Sequence, residues 1–374
     1  MRFVDVPGLD RLKTKLLQSV NKGKLPHAQL FLGPQGSGKL QLAYALAQYL
    51  YCSNRQETDS CGVCSSCRKI DSHTHPDVHY SYPVTNPGTS TKKPISTDYI
   101  EQWRTFNKEK AFFNISDWVG AIAKDENKQP NIYREETRSI ISKLSLKPYE
   151  GEAKTLIIWM PEYLKNESNV LLKLIEEPPQ KTYFILVAED SDELLTTITS
   201  RTQLLKVPQY TQEETIDFLK EKYKLETTKA EQLGYLAEGN FRKANELVES
   251  VEDNYGSIFR DWMVACYTNN LIKSYEIADS ITKQGRVQSQ LFLTNGLSIL
   301  RESLLYKTID GYQIKAEQEQ QDFIKKFSKT LNASCIEKSY EQINEVIYHI
   351  KRNANGRLAL FHLSLNLRYN FVRK

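Results

Sequence analysis

The stretch QLFLGPQGSGKLQLAYALAQYL, residues 29–50, constrains the fold more than any other part of this chain. An apolar run enters a glycine-rich loop, and an apolar helix face of Leu42, Ala43, Leu46, Ala47 and Leu50 leaves it. Strand, loop, helix is the context in which G-x-x-x-x-G-K-[ST] cradles phosphate with backbone N–H groups. Gly33, Gly36, Gly38 and Lys39 supply the loop and its lysine. The next residue should carry the hydroxyl that holds Mg²⁺. It is Leu40.

Further along, KTLIIWM (154–160) and TYFILVA (182–188) are continuous apolar runs of the kind buried on both faces of a parallel sheet. QLLKV (203–207) reads as another strand, and NESNVLLKLIEEPP as a helix stopped by Pro178 and Pro179. YREETRSIISKLSLKPYEG reads as a short amphipathic helix ending near Pro148 and Gly151, and 81–98 as loop. The pattern predicts a doubly wound α/β P-loop domain over 1–208. Three short helices follow over 209–252, with Thr211 and Thr227 as N-caps. Residues 253–374 read as all-helical, with Trp262, Leu291, Leu297, Leu300, Leu360, Leu363 and Leu367 on apolar faces.

The strand TLIIW is where a second Mg²⁺ anchor, an Asp, should end a buried strand. Trp159 stands there, and Met160 follows where a water-activating Glu is often placed. Glu162, past Pro161, is the one carboxylate that could substitute. The hydroxyl, the second anchor and the base are absent together, so the Mg²⁺ site reads as lost. Whether nucleotide still binds at Lys39 is open at this point.

Cys52-x8-Cys61-x2-Cys64-x2-Cys67 provides four thiolates for a closed, structural Zn²⁺ site. His73, His75 and His79 lie close by as substitute ligands, whereas Cys266 and Cys335 read as core residues. The chain of 374 residues is 40% hydrophobic and 26% charged, with a net charge of +4. That balance, with no aromatic-basic patch, does not argue for direct DNA binding. With no signal-like segment near its start and no run long enough to span a bilayer, a cytoplasmic location is expected.

With these residues in hand, the chain resembles the bacterial DNA polymerase III clamp-loader subunits of the delta-prime type, in the AAA+ superfamily. GKLPHAQLFLGPQGSGK, the cysteine module after the P-loop helix, HPD (75–77), LSLKPYEGEAKTLII and NVLLKLIEEPPQKTYFILVAEDSDELLTTITSRTQ carry the resemblance. It covers residues 1 to about 250; the C-terminal part matches only in helical character. The resemblance implies that 209–252 is a helical lid and 253–374 a collar through which a hetero-pentameric ring assembles with gamma/tau and delta types. It implies a non-hydrolysing stator that helps load a sliding clamp on primed DNA. Arg201 of SRT would be an arginine finger offered in trans to a neighbour's ATP. Arg242 of GNFRKA matches a sensor arginine, with residual nucleotide contact and lid packing as its two readings. The family's S-R-C cysteine is Thr202 here. The alternative is an ATP-hydrolysing motor subunit of the gamma/tau type, which would need the hydroxyl and acids this chain lacks.

Overall fold

Alternation along three neighbouring strands sets the layering of the α/β part. In the computed structural model, residues 1–86, 93–123, 129–250, 255–314, 318–351 and 354–372 are described. The strands are β1 (Ala28–Leu32), β2 (Val78–Ser81), β3 (Lys154–Trp159), β4 (Thr182–Ala188) and β5 (Gln203–Lys206). They form one parallel sheet in the order β2-β3-β4-β1-β5. Register pairs Leu30 with Leu186 and Ile157 with Ile185. Successive strand side chains point to opposite faces. Phe31, Ile157, Trp159, Ile185 and Val187 therefore enter one core, while Leu30, Leu156, Ile158, Phe184 and Leu186 enter the other.

The first face is covered by α1 (Asp10–Asn21) and α2 (Lys39–Tyr51), followed by α3 (Ser65–Asp71), α4 (Ile100–Glu109) and α5 (Ile115–Ile122). The second is covered by α6 (Arg134–Ser145), α7 (Ser168–Glu176) and the single turn α8 (Thr196–Thr199). β1, β3, β4, β5 and α7 are where the sequence pattern puts them, and α6 ends at Ser145, before the expected stop near Pro148. β2, α3, α4, α5 and α8 are additional. β2 is only four residues long and carries His79 and Ser81, too short and polar to stand out. Part of the loop at 81–98 lies outside the described residues.

The helices after the sheet are α9 (Gln212–Tyr223), α10 (Thr227–Ala237) and α11 (Phe241–Ser250). Thr211 Oγ1 accepts the Glu214 N–H at 3.1 Å, the N-cap bond expected of it. Then come α12 (Tyr255–Tyr267), α13 (Leu271–Lys283), α14 (Arg286–Thr308), α15 (Gln318–Thr330), α16 (Ala333–Lys351) and α17 (Gly356–Val372). Contacts divide the chain into two compact units: Met1–Phe218 with Glu238–Lys243, and Leu219–Ala237 with Ala244–Lys374. The segment 209–252 thus contributes to both, and the boundary at 252–253 lies outside the described residues. Within the second unit, Phe259, Trp262 and Phe292 form an aromatic centre, and Trp262 Nε1 donates to Ser364 Oγ at 3.0 Å. Cys266 and Cys335 are buried, as expected of core residues. No helix among the described residues is long and apolar enough to cross a membrane.

Candidate functional site

The glycine loop joins β1 to α2 as the sequence predicts, but protein atoms crowd it. Gly36 and Gly38 sit at φ +71° and +76°, where L side chains are strained. A Cβ on Gly36 would run into Asn240, and one on Gly38 into the Tyr210 hydroxyl. Gly33 abuts the Val207 carbonyl. Asn240 caps α11 by accepting the Lys243 N–H at 3.1 Å, and the Phe241 N–H donates to the Gly36 carbonyl at 3.3 Å. The Phe241 ring stacks on Tyr210 (3.8 Å) and on Phe218 (4.0 Å).

On the other side of the loop, the positions at which the sequence pattern expects metal anchors are part of the core. Leu40 is buried in the first-face cluster. Trp159 packs against Trp103 (5.4 Å between centroids) and Phe113 (5.1 Å). Trp103 stacks on Tyr82 at 3.9 Å and meets Trp118 edge-on at 5.0 Å. Such aromatic pairs add stabilisation beyond the area they bury. Met160 is buried at φ +57°. A cavity of about 20 Å³ lies beside Lys39, Trp159 and Glu189. That is space for about one water, so the residues present do not fit a nucleotide's phosphates with Mg²⁺.

Lys39 is held from within the protein. Its Nζ donates to the Pro34 carbonyl (3.0 Å) and pairs with Glu189 Oε1 (3.4 Å). Burial pushes the Lys39 pKa down, and the Glu189 charge opposes this only in part. Glu189 stands at the carboxyl end of β4, and Gln35 Nε2 donates to its other oxygen at 3.0 Å. Glu162, the candidate substitute carboxylate, is turned toward the backbone that follows β4. Its Oε1 accepts the N–H groups of Glu189 (2.5 Å) and Asp190 (3.1 Å), which fixes the turn that aims Glu189 at Lys39. Burial raises the Glu162 pKa, consistent with an Oε2 that has no hydrogen-bond partner among the described residues.

Arg242 is gripped by Asp117, Nε to Oδ2 at 2.6 Å and Nη2 to Oδ1 at 3.0 Å. Burial alone would raise the Asp117 pKa; the Arg242 hydrogen bond and the Asn114 N–H outweigh it and hold it below the usual value. Arg201, half-exposed after α8, pairs through Nε with Glu176 of the EEPP segment. Its Nη1 also donates to the Thr197 carbonyl at 3.1 Å and the Ser200 hydroxyl at 3.2 Å. An exposed pair of this kind contributes under about 1 kcal/mol, so it does not commit the guanidinium.

The four cysteines converge. The sulfurs of Cys52, Cys61, Cys64 and Cys67 all lie within 4.8 Å of one another. The edge of a tetrahedral Zn–S₄ site is about 3.8 Å, and Cys61 Sγ lies 4.0 Å from Cys67 Sγ. N–H groups of Cys61, Cys64 and Cys67 donate to the sulfurs of Cys52 (3.2 Å), Cys61 (3.4 Å) and Cys64 (3.4 Å). Burial raises the pKa of Cys52 and Cys67, whereas hydrogen bonds hold Cys61 and, outweighing burial, Cys64 below the ordinary thiol value; four sulfurs converging in this way fit a metal ion. The nearby histidines are not part of this cluster; His75 Nδ1 accepts the Asp77 N–H at 3.2 Å, and His73 packs between Tyr44 and Tyr80. Asp59, in the Cys52–Cys61 loop, accepts the N–H groups of Phe3 (3.0 Å) and Val4 (2.9 Å).

Asp77 of HPD has a role the sequence does not announce. Its carboxylate accepts the N–H groups of Tyr149 (2.6 Å), Glu150 (2.8 Å) and Gly151 (2.7 Å), tying the start of β2 to the loop before β3. Glu189 and Asp117 were also not among the sequence-derived candidates. The signal for Glu189 is its place at the carboxyl end of a parallel strand, where ligand sites of such sheets lie.

A family model described as DNA polymerase III, delta subunit, matches residues 8–211, more than half of the chain. The chain belongs to this family. It is 31% identical over 198 residues to the DNA polymerase III delta-prime subunit of Yersinia pestis, covering 52% of this chain and 45% of that one. It is 29% identical over 200 residues to the tau subunit of Escherichia coli, covering 53% and 24%. The matched region thus spans less than half the length of these relatives. The Bacillus subtilis clamp loader delta protein aligns over 96% of this chain and 99% of its own at 15% identity and a TM-score of 0.32, too slight a likeness to add to the assignment.

Proposed function

We propose that this chain is a delta-prime-type subunit of the DNA polymerase III clamp loader, an AAA+ fold kept for assembly rather than for hydrolysis. The observation that carries this reading is the closed loop: about 20 Å³ beside Lys39, with Leu40 and Trp159 in the core where the Mg²⁺ ligands would be. Delta-prime and tau relatives match at similar identity, so the reading rests on the site and not on the similarity. Arg201 supplies the trans contribution. Leaving Glu176 for a neighbour's γ-phosphate exchanges an exposed pair for a charge-assisted contact with a transferring phosphoryl group.

In this reading residues 209–252 are a helical lid and 253–374 a collar. Gamma/tau and delta types are the ring partners, and the sliding clamp and primed DNA are met through the ring. The four cysteines hold a structural Zn²⁺.

The deciding experiment is Mg²⁺-dependent ATP hydrolysis by the purified chain with primed DNA present. The expected result is no turnover above a Lys39→Ala control. Turnover that the control abolishes would make the chain a gamma/tau-type motor instead.

A further inference from the structure

Lys39 and Arg242 are two cations at the glycine loop, and each already has an anion of its own. The Lys39 side chain is 6% exposed and that of Glu189 17%; Arg242 and Asp117 are at 22% and 21%. A cation so far from water requires a counter-charge, and leaving one unpaired is strongly destabilising. The two pairs are joined. Gln35 donates to Glu189 at 3.0 Å, Asn114 donates to Gln35 Oε1 at 3.5 Å, and Asn114 and Asp117 close the capping box that starts α5. A polar line thus runs from the loop lysine through Glu189, Gln35, Asn114 and Asp117 to Arg242, carrying two positive and two negative charges.

We propose that Glu189 and Asp117 are built-in counter-anions, standing in for a polyphosphate and holding the loop shut without one. This deepens the non-hydrolysing reading above and rests on it. Trp159 and Leu40 explain why hydrolysis is lost, but they do not explain why a lone polyanion should stay away from Lys39. The carboxylates do. An incoming polyphosphate meets like charge at both cations, and displacing either carboxylate would leave it partly buried without its partner. The pairs also tie separate elements together: Glu189 joins the end of β4 to the loop, and Asp117 joins α5 to the first turn of α11. Neutralising both should therefore loosen the unit and at the same time create an anion site.

The test uses the full chain, the isosteric double variant Glu189→Gln/Asp117→Asn, and inorganic triphosphate as the probe. Melting temperature and calorimetric binding are read at matched ionic strength. Wild type is expected to show no triphosphate-dependent shift. The double variant should melt lower than wild type, recover several degrees with triphosphate, and bind it at least about tenfold more tightly than wild type does. Adding Lys39→Met should remove that gain. A folded double variant with no gain overturns the proposal. So does a gain that survives Lys39→Met, or wild-type binding as tight as the variant's. If the double variant does not fold, Glu189→Gln alone is read against the same three criteria. ATP turnover by wild type would sink the non-hydrolysing reading; the triphosphate result fails or succeeds without any turnover.

Discussion

At Asp77 one carboxylate is coupled to three backbone N–H groups. Burial would raise its pKa, but the N–H groups of Tyr149, Gly151 and Glu150 outweigh that and hold it below the usual carboxylate value. A depressed folded pKa stabilises the protein above the unfolded value and loses that contribution as pH falls through the folded one. Asp77→Asn should therefore be less stable than wild type by about 2 kcal/mol at pH 7. The gap should be full above about pH 4 and close below it. Urea midpoints for the two proteins at pH 7 and from pH 5 to 2.5 check this; a gap that persists at the acid end would mean that the charge is not what matters. Single residues were unevenly legible in the sequence. Leu40 and Trp159 could be recognised because a spacing defines what should stand there. Asp77, Asp117 and Glu189 could not, because Tyr149, Arg242 and Lys39, which they meet, lie 72, 125 and 150 positions away. One-dimensional spacing carries no information about which N–H or cation a carboxylate will meet.

At the scale of elements, the cysteine module is where sequence and geometry agree most closely. Two C-x-x-C steps force a tight turn, and the four sulfurs meet. The same loop, through Asp59, holds the backbone of Phe3 and Val4. Elemental analysis of the purified chain is expected to give one zinc per molecule. Cys64→Ser should release it and destabilise the protein by more than about 2 kcal/mol, since a closed zinc site contributes folding energy. A zinc-free wild type that melts no lower than the loaded protein would remove the structural role. β3 and β4 were legible as continuous apolar runs because both faces of each are covered. α4 and α5 were not. Their apolar faces rest on Trp103, Phe106, Trp118 and Val119 across two short helices, with too few turns to establish a period.

For the molecule as a whole, Arg201 is the point at which the chain would act on something beyond itself. Arg201→Ala should fold normally, since it removes only an exposed pair with Glu176 and two hydrogen bonds to neighbouring groups. In a reconstituted clamp loader it should lower ATPase activity by about 10³-fold at the site it serves, the low end of what an arginine finger contributes. Unchanged activity of the complex would remove the trans role. The family was legible because its motifs fall in the α/β part, within the matched residues 8–211. The helices beyond Tyr255 gave only their helical character. Their buried faces read as amphipathic helix whatever the fold, so they identify a class of structure and not a relative.

The aromatic cluster around Trp159 bears on how this chain can change. Restoring an acid at that position alone would set a carboxylate against Trp103 and Phe113, with no metal to meet it because Leu40 still lacks a hydroxyl. Restoring the hydroxyl alone would bury it in the apolar core that Leu40 now fills. If the chain is the non-hydrolysing subunit proposed above, each such step would by itself disturb the packed core. In the proposed reading, the packing of Trp159 and Leu40 therefore opposes a return to hydrolysis by single substitutions.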